Sequence, residues 1–241
     1  MKLIFSFGLF LSLSTAFSQQ TFSDKYLEAG LVTGFTNYSG DMAERNIQFK
    51  ENGVGAGLFA RYHFSTILAL KAQVFAGKIG GTDANARTID LKERSLKFSS
   101  NLLEFAVMAE WNFMNVKPER LDDVQEIKVV PYLMLGVGGV FSQPEVTYFG
   151  PPDQFTRLVP FNIPEPGLKK QALVLPFGVG LRTLVSKKIT VGIEGAFHPA
   201  LSDYLDGIKL NGKPNSDWYY TALASASLVL GRRRPTAYGG R

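Results

Sequence analysis

Apolar and polar residues alternate along most of this chain. In the stretch LFARYHF, residues 58–64, Tyr62 and Phe64 fall on one parity, while Arg61 and His63 fall on the other. Successive side chains of an extended chain point to opposite faces of a sheet, so alternation of this kind predicts a β-strand with one apolar and one polar face.

The same period-two pattern recurs in eight segments, which predict eight strands. These segments are 26–38, 52–64, 66–77, 97–114, 128–142, 171–185, 188–198 and 218–230. Most are longer than the ~5 to 6 residues of an ordinary strand and suit the ~9 to 11 residues of a tilted membrane-spanning strand. An even number of long strands predicts an all-β fold, an eight-stranded antiparallel transmembrane β-barrel of the outer-membrane type.

Sorting each segment by parity separates an apolar face from a face that carries glycines and charges. The charged positions on the second face are Glu28, Arg61, Lys71, Glu104, Glu110, Arg182 and Glu194. A soluble barrel would turn the apolar face inward, and a membrane barrel would turn it outward toward lipid. Parity alone fits both arrangements.

Three further features favour the membrane barrel. The charged face is rich in glycine and poor in lysine, which suits a crowded lumen. Aromatic residues stand near the strand ends, as expected for interfacial girdles; they are Tyr26, Tyr38, Tyr62, Phe64, Trp111, Phe113, Trp218 and Tyr219. The connections alternate between tight turns, at 65 and 186–187, and long loops, at 39–51, 78–96, 143–170 and 199–217.

The charged face then predicts an ion network that fills the lumen. An eight-stranded barrel is just wide enough for side chains to fill it, and buried charges need partners. We therefore expect Arg61, Lys71 and Arg182 to pair with the four glutamates. The alternative, that these carboxylates form an acid/base catalytic site, is less favoured.

The first residues, the composition and the net charge exclude further classes of protein and of binding site. The first residues, 1–18, combine Lys2, a short apolar run and small residues, which predicts a secretory signal peptide, followed by the barrel at 19–231 and a basic periplasmic tail at 232–241. The 241 residues contain no cysteine, so disulfides and thiolate metal sites are excluded. The net charge of +5 and its mixed sign along the chain indicate no nucleic-acid partner, and no motif predicts a cofactor.

Two polar regions leave alternatives open. His198, Ser202 and Asp203 could form a hydrolase trio at an outer loop, although ordinary loop polarity is the favoured interpretation. The proline- and aromatic-rich loop 143–170 could cover the barrel mouth or contact another protein.

The two ends of the mature chain carry motifs that resemble the PorG-like barrels of the type IX secretion system. The stretches are LEAGLVTGFTNYSGDM, LSDYLDGI and NSDWYYT; the matching residues include Tyr38, Gly40, Asp41, Asp203, Tyr204, Asp206, Asp217, Trp218 and Tyr219. The resemblance implies a non-enzymatic outer-membrane component that contacts a periplasmic secretion ring.

Two segments on the predicted periplasmic side, the connection 115–127 and the tail 232–241, are longer or more charged than a simple barrel needs. The connection carries Lys117, Glu119, Arg120, Asp122 and Asp123, and the tail carries Arg232, Arg233 and Arg234. We expect them to be the partner contact. The alternatives are a stand-alone barrel for envelope stability or ligand binding, and a lipid- or lipopolysaccharide-modifying barrel enzyme.

Overall fold

A single antiparallel sheet closes on itself to form a ring. The computed structural model describes residues 25–39, 51–85, 92–93, 95–114, 129–151, 170–186, 188–201, 205 and 217–230. The strands are β1 (Tyr26–Ser39), β2 (Gly53–His63), β3 (Leu68–Thr82), β4 (Leu96–Trp111), β5 (Val129–Tyr148), β6 (Lys170–Val174), β7 (Phe177–Ser186), β8 (Ile189–Pro199) and β9 (Trp218–Leu230). A short 3₁₀ turn, Asp83–Asn85, follows β3.

The strand order is β4-β3-β2-β1-β9-β8-β7-β5-β6, and a pairing of β4 with β5 closes the ring. The all-β, antiparallel, closed fold predicted from the alternation is thereby confirmed. Among the described residues, no helix is long and apolar enough to cross a membrane.

β6 and β7 share one place in the ring. Both pair with β5, and the pairs Gly138 with Val174 and Leu135 with Phe177 belong to the same antiparallel register. The interruption falls at Leu175 and Pro176, where proline has no N–H to donate to the ladder. Nine strand segments therefore occupy the eight positions that the sequence predicts.

Several strand ends differ from those predicted. β3 continues to Thr82 and β5 to Tyr148, because both remain paired with β4 as far as Lys97 and Leu96. The loops predicted to begin at 78 and 143 therefore start later, since pairing with a neighbour extends a strand beyond the point where its own alternation fades.

The alternation is inverted relative to a soluble barrel. The charged face lies inside the ring, and the apolar face lies outside. We call the exposed apolar side chains of the outer face the apolar belt; they include Leu31, Phe35, Val54, Leu58, Val107, Leu135, Val137, Leu173, Val179, Ile193 and Leu228. Leu135 is 64% exposed and Val54 67%, although both lie within regular strands.

The two ends of the ring differ. β1 begins where β9 ends, as Leu27 pairs with Leu230, and we call this the termini end. The connections β1–β2, β3–β4, β5–β6 and β8–β9 lie at the opposite end, which we call the loop end. Tyr38 and Tyr219, expected in an outer girdle, are instead buried inside the ring at the loop end, with exposures of 2% and 0%.

Candidate functional site

The ring interior holds a connected network of charged side chains. Glu28, Arg61, Lys71, Glu104 and Glu110 lie on β1, β2, β3 and β4, where the strand parity turns them inward. Each is at most 1% exposed. Inside an eight-stranded ring these side chains have no route to bulk water, so their partners must come from other strands.

Glu110 joins two arginines. Its carboxylate accepts a hydrogen bond from Arg61 Nε at 3.0 Å and one from Arg182 Nη1 at 2.5 Å. Arg61 also donates from Nη1 to Glu28 at 2.8 Å. The chain Glu28, Arg61, Glu110 and Arg182 therefore connects β1, β2, β4 and β7 across the lumen.

Glu28 is held from several sides. Ser227 Oγ donates to its carboxylate at 3.2 Å, and His63 Nε2 lies 3.2 Å from Glu28 Oε1. The His63 ring stacks on Tyr26, with centroids 4.0 Å apart. These contacts fill the interior at the termini end.

Lys71 forms the second centre of the network. Its Nζ lies 2.6 and 2.8 Å from the two carboxylate oxygens of Glu194, and Tyr132 donates to the same carboxylate at 3.0 Å. The Phe59 ring lies between the two centres, with the Lys71 Nζ 4.9 Å and the Arg61 guanidinium 4.8 Å from its centroid. Cation–π contacts are worth ~0.5 to 1 kcal/mol at exposed sites and about 2 kcal/mol when desolvated, as they are here.

Tyr132 also covers Arg182, whose guanidinium carbon is 4.7 Å from the ring centroid. This packing requires a glycine on the neighbouring strand. Tyr132 faces Gly180 in the register, and a Cβ at Gly180 would lie 2.3 Å from the tyrosine ring. The glycine therefore provides the space in which Tyr132 sits.

Glu104 has partners different from those of the other three glutamates. His198 Nδ1 lies 2.8 Å from its carboxylate, and the Tyr219 hydroxyl donates to it. The second nitrogen of His198 lies 3.0 Å from Thr221 Oγ1, and its ring stacks on Tyr219. This carboxylate–imidazole–hydroxyl series resembles a hydrolase relay in order, but His198 and Thr221 are only 2% and 5% exposed and face the closed interior.

An apolar cap closes the loop end above Glu104. We define the loop-end cap as the buried cluster Tyr38, Ile79, Leu96, Phe98, Leu102, Val140, Val174, Ala200, Leu205 and Tyr219. The hydroxyl of Tyr38 donates to Asp217 at 2.7 Å, and the other carboxylate oxygen of Asp217 accepts from the Leu205 backbone at 2.8 Å. Asp217 thus ties β1 to the segment that precedes β9.

The structure brings all seven predicted lumenal residues inside the ring and joins the three cations to Glu28, Glu110 and Glu194. It adds His63, Tyr132, His198 and Tyr219, which were not among the predicted network residues. Their inward parity was visible in the sequence, since Tyr132 alternates with Leu133 and His198 shares the parity of Glu194. What the sequence lacked was a reason to place histidine and tyrosine side chains in an ion network.

The motif residues divide between described and undescribed parts of the chain. Tyr38, Asp217 and Tyr219 lie in the loop-end cap or beside it, whereas Trp218 points outward and is 36% exposed. Gly40, Asp41, Asp203, Tyr204 and Asp206 lie outside the described residues, as do Ser202, the signal segment, the tail and all eight residues of the expected partner contact. Within the described residues, no group of three or more metal-ligating side chains is arranged around a common point.

The chain belongs to the family described as Domain of unknown function (DUF6089), whose match spans residues 5–227. No curated protein matches it in sequence.

Solved structures similar to this chain include outer-membrane proteins from several bacteria. Ail of Yersinia pestis, solved with a heparin analogue, is 13% identical over 86% of this chain and 97% of its own, with a TM-score of 0.43. Neisserial surface protein A is 12% identical over 85% and 96%, with a TM-score of 0.43. A major outer membrane protein from Thermus thermophilus is 12% identical over 85% and 99%, with a TM-score of 0.40.

Proposed function

We propose that this protein is a non-enzymatic outer-membrane barrel that acts as a closed scaffold in the type IX secretion machinery. The observation that carries the proposal is the inverted parity: ion-paired side chains fill the ring and apolar side chains cover it. An apolar surface of this kind is stable in contact with lipid hydrocarbon, whereas its exposure to water is unfavourable in free energy.

The height of the apolar belt supports a membrane location. Outward apolar positions on β2 and just beyond it run from Val54 to Phe64, a rise of ten residues. At ~3.3 Å per residue and a tilt of about 40°, this run covers about 25 Å along the ring axis. That is the height of the apolar band in outer-membrane barrels.

The closed interior supports a structural role. Ion pairs bridge the lumen near the termini end, and the loop-end cap packs apolar side chains across the other end. The surroundings of His198 argue against a hydrolase role for it. Its two ring nitrogens lie against Glu104 and Thr221, and Tyr219 covers its ring, so no ring nitrogen is open to a substrate.

The secretion role is supported by the meeting of the two end motifs. Tyr38 from the first motif and Asp217 from the last are 179 positions apart and share a hydrogen bond. Tyr38 and Asp217, two of the residues that carry the resemblance to PorG-like barrels, therefore meet at the loop end.

Membrane insertion and closure can be tested together. Purified protein folded into phosphatidylcholine vesicles should float with them in a density gradient, and its band should migrate differently before and after boiling. In planar bilayers it should produce no large, steady conductance. Recovery as a soluble protein would contradict the membrane location, and a steady open channel would contradict the closed interior.

The partner assignment has its own experiment. Removal of 232–241 together with shortening of 115–127 should leave the heat-modifiable barrel intact while abolishing co-purification with periplasmic secretion-ring proteins. A variant shortened within residues 152–169, in the connection between β5 and β6 on the opposite side, serves as the matched control and should retain the ring. If the doubly trimmed barrel still carries the ring proteins, this docking surface is wrong.

A further inference from the structure

A polar, basic surface stands directly above the apolar belt on β3 and β4. Along the outer face of β3, apolar Val74 and Ala76 are followed by Lys78; along β4, Phe105 and Leu103 lead to Asn101. Lys78 and Asn101 are opposite each other in the register. The belt therefore ends at one level on both strands, and a lysine occupies the first position beyond it.

A second lysine lies further toward the loop end on the same outer face. Lys97 of β4 is opposite Thr82, and the pair Gly80 and Ser99 lies between the two lysines. Lys97 is four residues beyond Asn101 on β4, which is about 13 Å at ~3.3 Å per residue. The two lysines are thus anchored at different heights on the outer face, and each can meet a separate anionic group.

Both lysines are exposed, and no hydrogen bond or ion pair joins their side chains to any other residue that the structure describes. Two carboxylates lie near them. Glu145 of β5 is on the same outer face, opposite Ser99, and Glu51 accepts a hydrogen bond at 3.3 Å from the backbone N–H of Thr82, the residue opposite Lys97. Glu145 is also exposed and is not ion-paired to either lysine. At the termini end, the outward side chains on or next to the same strands are apolar: Leu70, Trp111 and Phe113.

We propose that the outer face of β3 and β4 binds a phosphorylated glycolipid of the outer leaflet, of the lipopolysaccharide type. This inference rests on the proposed membrane location, with the termini end in the periplasm and the loop end facing outward. Acyl chains would lie on Leu103 and Phe105, beside Phe141, whose ring packs edge-on to Phe105 at 6.2 Å. The first phosphate meets Lys78 at the level where hydrocarbon gives way to headgroups, and Lys97 meets an anionic group further out.

The two levels distinguish a glycolipid from an ordinary phospholipid. A phosphatidylglycerol headgroup carries one phosphate close to its acyl chains and reaches Lys78 alone. A lipopolysaccharide headgroup is an extended, multiply anionic saccharide and reaches both lysines. Each lysine near an anionic headgroup contributes about a fivefold change in binding.

The experiment is native mass spectrometry of the full folded barrel in detergent, titrated with diphosphoryl lipid A or with phosphatidylglycerol. Lys78→Gln should weaken binding of both lipids about fivefold, whereas Lys97→Gln should weaken lipid A alone. Lys188→Gln is the matched control, because Lys188 is an exposed lysine at the termini end and its loss should change neither.

The outcomes separate the two levels of inference. If Lys97→Gln also weakens phosphatidylglycerol, or if Lys188→Gln weakens lipid A equally, the surface is a general attraction for anions and the glycolipid assignment is wrong. Unchanged lipid A binding in a Lys78→Gln, Lys97→Gln double variant would overturn the site while leaving the vesicle flotation of the barrel intact. Failure of the wild-type protein to float would instead reject the membrane location itself.

Discussion

At the scale of single residues, Glu110 is the side chain on which the interior depends most. It accepts from both Arg61 and Arg182, and its side chain has 0% exposure. Arg61 has a second carboxylate in Glu28, but the ion pair found for Arg182 is with Glu110 alone among the described residues. The network is therefore asymmetric, and the loss of one carboxylate leaves one buried guanidinium without its counter-charge.

We predict that Glu110→Gln destabilises the folded barrel by about 3 to 5 kcal/mol, since breaking a buried ion pair leaves an uncompensated charge. Urea titration of the vesicle-folded protein, followed by tryptophan fluorescence, measures the change. Glu145→Gln is the control, because that carboxylate is exposed on the outer face, and its midpoint should equal the wild-type value. A Glu110→Gln midpoint equal to wild type would show that the ion pair does not stabilise the ring.

The sequence predicts which face of the ring each charged residue lies on, but not which partner it meets. That Arg61 and Glu110 belong to the charged face was evident from their parity, and the glycine-rich character of that face favoured turning it inward. The pairing was not evident, since Arg61 reaches Glu110 across a strand that separates β2 from β4. Which glutamate meets which cation depends on strand tilt and stagger, and these are properties of the closed ring.

At the scale of strands, aromatic side chains inside the ring lie over glycines of neighbouring strands. Tyr132 on β5 covers Gly180 on β7, and Phe75 on β3 occupies the space beside Gly55 on β2. The glycines of the inward face thus allow large side chains to cross the lumen without displacing the backbone.

We predict that Gly180→Ala destabilises the barrel by about 1 to 3 kcal/mol, the range for overpacking a filled interior. The added Cβ would lie 2.3 Å from the Tyr132 ring and displace the hydroxyl that donates to Glu194. Gly195→Ala is the matched control, because Gly195 faces outward on β8 with open space where a Cβ would stand. The same urea titration checks both, and equal midpoints for the two variants would contradict the packing argument.

The break between β6 and β7 also belongs to this scale. Gly136 donates to the carbonyl of Pro176 at 2.7 Å, and Leu175 donates to Pro199 at 3.1 Å, so the backbone pairing continues on both sides of the proline. The sequence predicted one strand at 171–185, and the register agrees with it; the proline removes one donor without changing the path of the chain.

At the scale of the whole molecule, the apolar belt is the feature that favours a lipid environment over water. Outward apolar positions on β5 run from Val129 to Phe141, with Leu135 at their centre. Val54 lies at the loop end of the belt, at the level where Lys78 begins the polar surface. These two positions have similar exposure and differ in depth.

We predict that Leu135→Lys destabilises the vesicle-folded barrel by about 2 to 4 kcal/mol and that Val54→Lys costs no more than about 1 kcal/mol. A charge at the bilayer centre loses its hydration, whereas a lysine at the boundary can extend its ammonium to the headgroups. Equal, small effects at both positions would indicate that the belt faces water and would contradict the membrane location.

The strands, their approximate bounds and the division of the chain into two faces follow from the sequence alone, because the period-two alternation of an extended backbone is a local property. Parity leaves open which face turns inward, since the same alternation suits a soluble and a membrane barrel, and the glycines, the strand-end aromatics and the loop lengths only favour the membrane arrangement. Ring closure through β4 and β5 decided which face turns inward, by enclosing Arg61 and Lys71 with their carboxylates and leaving Leu31 and Leu135 outside. The meeting of Tyr38 with Asp217 likewise required the tertiary structure, because it depends on the pairing of the first strand with the last, β1 with β9.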